Sequence, residues 1–174
     1  MSERKKQLLK RLEEFFKNDE GAEDASIFTA EELGTPMDML RVLVTGYGPG
    51  LIDVLAEYSF IPFEGPEEVL YFSSVITIMT DIPKDGVIPL SAATARLNFF
   101  LPYGSFCISG DGKMLVYKSV AALRADHDDK KLYEDIELAA DTALLAAEDH
   151  SFLLMQVAEG ELLLEDYLAG LPEA

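Results

Sequence analysis

Few residues in this chain are of types suited to catalysis: His127, His150, Cys107 and a large population of carboxylates. A histidine could serve as general base or metal ligand near neutral pH, and a thiolate as nucleophile or soft ligand. The spacing supports neither. The two histidines form no HxxxH pair on one helical face, and a single cysteine cannot supply zinc spacing. No Gly-x-Ser-x-Gly nucleophile turn and no phosphate-cradling Gly-x-x-x-x-Gly-Lys occurs. Gly46-Tyr47-Gly48-Pro49-Gly50 lacks the third-glycine spacing of a dinucleotide site, and Pro49 removes a backbone donor. It reads as a turn.

Asp126-His127-Asp128-Asp129 resembles the start of a cation loop, with Asp126, Asp128 and Glu137 at positions one, three and twelve of an EF-hand register. Lys130 and Lys131 then occupy positions five and six, where a carboxylate and a glycine are needed. The segment therefore reads as a solvated loop whose aspartates cap the following helix. Glu67/Glu68 and Glu134/Asp135 would do acid–base work only inside a shared buried cleft. Cys107, on a strand without cationic neighbours, reads as a small packing residue. No catalytic, metal or cofactor residue is assigned, so a non-enzyme is the favoured expectation and no cofactor is implied.

The elements that would position these groups follow from periodicity. Leu8, Leu9, Leu12, Phe15 and Phe16 share one helical face; Ser2 can cap the helix, and Asn18 to Gly21 stop it. Its basic residues crowd the N-terminal end, where the helix dipole disfavours them, so an acidic group should lie nearby. Asp19–Asp24 reads as an acidic linker. Period-two runs then predict strands over Met39–Tyr47, Leu51–Phe60 and Leu70–Asp81, joined by turns at Gly46–Gly50 and at Pro62, Gly65 and Pro66. Leu51–Phe60 also fits a helix through Leu51, Val54, Leu55 and Tyr58, but alternation favours the strand.

Pro83 and Pro89 bracket a loop into a second helix, Leu90–Leu101, which Pro102 ends. Leu90, Ala93, Leu97, Phe100 and Leu101 form its core stripe. Ser105–Ser109 and Lys113–Ala121 flank Gly110-Asp111-Gly112, a hairpin signal. Asp128 or Asp129 caps a long helix from about Lys130, which Gly160 breaks, leaving a short terminal helix over Glu161–Ala169. The result is one α+β domain over residues 1–174: helix, three-strand antiparallel meander, helix, hairpin and C-terminal helices, with one antiparallel sheet packed by helices.

Composition fits that picture. The 174 residues are 49% apolar and 10% aromatic, enough for a single core, and no run of about 20 apolar residues suggests a membrane span. The start, MSERKKQLLKRLEEFFK, has no apolar signal core, and one cysteine points to a reducing, cytoplasmic setting. Charge is lopsided. Of 32 acidic and 14 basic residues, the first 17 positions hold three and six, leaving 29 acids and eight bases for the rest. Such a body repels nucleic acid and anionic lipid and favours cationic polypeptide segments, although acidity also serves solubility alone.

Leu97 and Asn98 at the end of the middle helix, Phe106 and Ile108 on the outgoing strand, Asp111 and Gly112 in the turn, and Leu115 and Tyr117 on the return carry a resemblance. The stretch resembles type III secretion chaperones and the related YbjN-like family, over roughly residues 3–158, with residues 160–174 as an extension. The resemblance implies a small acidic homodimer that binds an extended segment of another protein without hydrolysing it. Residues 21–38 are long for the pattern. On the middle helix Ala92, Ala95 and Phe99 lie roughly opposite the core stripe, and with Phe100 and Tyr103 they are the protein-binding candidates. The alternatives are a small-molecule sensor or enzyme whose carboxylate-lined pocket converges on Arg41 or Arg96, and a subunit of a larger assembly.

Overall fold

The computed structural model describes residues 3–63 and 68–172, so the Ser2 cap and the turn positions Gly65 and Pro66 lie outside the described residues, as does Glu67 of the paired glutamates. Helix α1 (Glu3–Lys17) buries Leu8, Leu9, Leu12 and Phe16, the stripe that its spacing predicts. Strands β2 (Met39–Tyr47), β3 (Ile52–Ile61) and β4 (Val69–Met79) form the expected meander. On β3 alternation prevails over the helical alternative: Val54, Ala56, Tyr58 and Phe60 are buried in step.

The expected linker is the first departure. Residues Ala22–Phe28 form a further antiparallel strand, β1, on the outer edge of β2, and a short helix α2 (Ala30–Leu33) follows it. An edge strand needs one paired side and few apolar contacts. Ala25 is the one buried residue of β1, so acidic neighbours hide it from a periodicity reading. The long segment 21–38 is thus largely structured.

Helix α3 spans Val87–Asn98 rather than Leu90–Leu101, ending three residues earlier than expected. Pro89 lies in its first turn, where an N–H has no intrahelical partner to lose. Strands β5 (Ser105–Ile108) and β6 (Leu115–Arg124) make the expected hairpin. Helix α4 runs over Asp129–Glu159, capped by the Asp128 side chain and stopped by Gly160 in the left-handed conformation; α5 (Leu164–Ala169) is shorter than expected.

All six strands join in one antiparallel sheet in the order β1-β2-β3-β4-β6-β5. Helices α1, α3 and α4 pack on one face of it, so the core has two layers. An aromatic stack ties them: Phe16 of α1 lies on Tyr58 of β3 at 5.4 Å, and Tyr58 on Phe72 of β4 at 5.9 Å. The side chains that alternate to the other face, such as Leu43, Leu55, Val75 and Val116, remain half-buried. None of the described helices is long and apolar enough to cross a membrane.

Candidate functional site

The catalytic candidates are scattered. Cys107 points away from the helices and is exposed, so it is not the packing residue its strand position suggested. Phe106 alternates into the core instead, edge-on to Tyr117 at 5.1 Å. His150 lies on α4 against Phe106, far from His127 in the loop that precedes this helix.

The Asp126–Asp129 segment is occupied by its own protein. The Arg4 guanidinium donates to Asp129 Oδ1 at 2.7 Å and to the Ala125 and His127 carbonyls at 2.6 Å each. Arg124 pairs with Asp126 at 2.6 Å, and Asp128 accepts from Lys131 N–H at 2.9 Å. The loop oxygens that a cation would need therefore hold α1 and cap α4. This also supplies the acidic compensation that the basic start of α1 requires, and Arg11 stacks on Tyr133 of α4 at 4.0 Å.

A depression of about 390 Å³ opens between β6 and α4. Tyr103, Leu123, His127, Asp135, Leu138 and Thr142 are among its lining residues. His127 Nδ1 and Asp135 Oδ2 are 3.0 Å apart, and Lys131 Nζ lies 2.8 Å from Asp135 Oδ1. Hydrogen bonds from Lys131 and then His127 hold the Asp135 carboxyl below the ordinary carboxylate range. The pair could orient an imidazole base, but neither serine nor cysteine is among the lining residues. Arg41 and Arg96 do not converge there. Arg41 pairs with Glu57 at 2.8 Å across β2 and β3, and Arg96 lies 4.8 Å over the Phe100 ring. The carboxylate pocket around either arginine does not form.

Beside the same depression the sheet is incomplete. β5 pairs with β6 from Ile108↔Leu115 to Ser105↔Lys118, yet β6 continues to Arg124. Ser109 N–H donates to Met114 C=O at 2.9 Å, and Ala125 N–H to Glu68 C=O at 2.8 Å. Alternation therefore aims the main-chain groups of Val120, Ala122 and Arg124 away from β4, and of these the Arg124 C=O accepts from His127 N–H at 3.3 Å. Among the described residues no strand meets them there. The chain that would have extended β5 is turned aside at Gly104, whose φ of +65° and contact with the Tyr117 hydroxyl leave no room for a Cβ. Tyr117 fixes this turn by donating to the Tyr103 carbonyl at 2.6 Å.

Helix α3 carries the binding residues expected on it. Ala92, Ala95 and Phe99 are exposed, and Phe100 and Tyr103 are half-buried. Ile88, 82% exposed, extends the row to Ile88-Ala92-Ala95-Phe99, four residues at helical spacing with no cover. The sequence reading missed Ile88 because it began the helix after Pro89. Compared with known families and curated proteins, the chain matches neither a family model nor a curated sequence.

Proposed function

We propose that the protein is a non-catalytic binding module, a homodimer that holds an extended segment of another polypeptide in the manner of secretion chaperones. One observation carries this reading: the main-chain donors and acceptors of Val120 and Ala122 on β6, with the Arg124 N–H beside them, meet no strand among the described residues. Such a row is satisfied best by the backbone of another extended chain, which would continue the line of β5. The neighbouring depression of about 390 Å³, with Leu123 and Leu138 in its wall, suits an apolar side chain of that segment. The exposed α3 row offers a second apolar contact, and the acidic body favours a segment rich in lysine or arginine.

Ala122→Pro tests the reading. It deletes one outward N–H while leaving the β4 side of β6 intact, a position where proline is tolerated. Polypeptides captured from the native lysate by wild type should be retained at least about tenfold less by this variant, at unchanged circular dichroism. Equal retention would remove the β6 edge from the binding site.

A further inference from the structure

The uncovered face of the sheet differs from the rest of the surface in charge. Among the described residues, Asp53 and Glu57 are the only carboxylates at the outward positions of β2, β3, β4 and β6, in a chain with 32 acidic residues. Glu57 is already neutralised by Arg41 at 2.8 Å. The register instead sets Leu43, Leu55, Thr77 and Val116 in one row across four strands, and Met39, Ser59, Ser73 and Val120 in another. An antiparallel sheet with one solvated face ordinarily alternates to polar residues on that side. Here it alternates largely to apolar and hydroxyl side chains, with Arg41, Lys118 and Arg124 as its cations, and Ile61, Phe63, Tyr71 and Val120 enclose an apolar hollow of about 230 Å³.

We infer that this face is where two copies of the chain meet, sheet against sheet, so that the homodimer rests on the outward residues of β2–β4 and β6. The inference builds on the homodimer in the function proposed above and assigns its interface. Area argues for it. The four strands β2, β3, β4 and β6, about 4.8 Å apart and near 30 Å long, present about 600 Å². A stable interface takes about 800 Å² per partner. The exposed row on the 12-residue α3 offers a strip about 18 Å long and 10 Å wide, roughly a quarter of that. Charge argues for it too. Two copies, each of net charge −18, repel one another unless they meet where carboxylates are sparse, and this face is such a place. Aligned packing of two twisted sheets about 10 Å apart would bury both apolar rows and leave α3 and the β6 edge open to the partner polypeptide.

Sedimentation velocity across a concentration series tests the assignment, using the full chain, Val120→Glu, Thr77→Arg and Phe99→Glu. Val120 is 41% exposed and Thr77 is half-buried, so both substitutions should leave the fold, checked by circular dichroism, intact. The wild type should dimerise. The dimer should tighten as ionic strength rises from about 0.01 M to about 0.1 M, because screening relieves like-charge repulsion. Val120→Glu and Thr77→Arg should each raise the dimer Kd at least about tenfold, since each places a charge in an apolar contact, while Phe99→Glu should leave it unchanged. A wild-type dimer that survives in both sheet variants would overturn the interface and keep the homodimer. Loss of the dimer in Phe99→Glu with retention in the sheet variants would move the interface to α3. A dimer weakened by salt would also count against an apolar face between acidic bodies, and a wild type that stays monomeric would remove both the interface and the homodimer.

Discussion

The Asn98 side chain stands in for a strand against Phe106. Its Oδ1 accepts from Phe106 N–H at 2.8 Å, and its Nδ2 donates to Phe106 C=O at 2.9 Å. Alternation turns the main-chain groups of Phe106 and Ile108 away from β6, and one amide at the end of α3 satisfies both groups of Phe106 on that outer edge. The closure reaches only as far as β5 itself. Beyond Ser105 the edge passes to β6 and stays open.

Asn98→Ala should therefore destabilise the domain by about 1–3 kcal/mol, because two partly buried main-chain groups lose their partner at once. Asn98→Asp is the sharper probe. The carboxylate keeps the acceptor for Phe106 N–H and loses the donor, so it should cost less than alanine at neutral pH. Urea unfolding midpoints at constant slope measure both; equal stability of all three proteins would refute the role.

The middle helix was legible in the sequence as Leu90–Leu101, its Leu97-Asn98 end entering only through the family resemblance, and the hydrogen bonds of Asn98 to β5 were not legible. Helix periodicity shows which residues face a core; a side chain eight positions away from its partner leaves no periodic trace. The same limit applies elsewhere. The meander and hairpin could be read because Val54, Ala56, Tyr58 and Phe60 alternate without interruption. β1 could not, since Ala25 alone of its residues is buried. The hairpin strands read as unequal, Ser105–Ser109 against Lys113–Ala121, but nothing in their periodicity shows that Gly104 turns the chain away and leaves the β6 edge open. The Ala92, Ala95 and Phe99 face was legible because small and aromatic residues recur there at helical spacing.

Gly86 sets the distance between two helices. A Cβ at this position would overlap the carbonyl of Ala158 near the end of α4. The φ of −81° is open to any residue, so the requirement for glycine is one of space and not of conformation. Gly86→Ala should cost about 1–3 kcal/mol by forcing α3 away from α4, and Gly86→Ser should be no better. Thermal unfolding checks this, and an unchanged midpoint would mean that the loop before α3 yields freely.

Tyr58 is fully buried between Phe16 and Phe72, and its hydroxyl has no hydrogen-bond partner among the described residues. Burial, ahead of the charge on Asp141, raises its pKa well above the ordinary tyrosine value. The ring contributes to the stack, and the oxygen only costs desolvation. Tyr58→Phe should accordingly stabilise the protein by about 1 kcal/mol, read as a higher urea midpoint at unchanged slope. A loss of stability would show that the hydroxyl has a partner, such as a buried water.

Stability should also depend on pH through His150. Burial of the imidazole against Phe106 pushes its pKa below 6.5, with Asp149 opposing only in part. The folded state disfavours the charged ring, while the unfolded chain takes up the proton near its ordinary pKa. Stability should then be fully present above about pH 7 and decline as pH falls through 6.5 toward the lower folded value. Asp141 acts with the opposite sign. Burial, then Glu137 and Asp19, raise its pKa, so protonation in the folded state restores stability as pH falls through that value toward 3.8. His150→Gln should flatten the decline below neutrality, and Asp141→Asn should raise stability at pH 7 while leaving that decline in place. Chemical unfolding at several pH values separates the two, and a decline below pH 6.5 that persists unchanged in His150→Gln would refute this role of the ring.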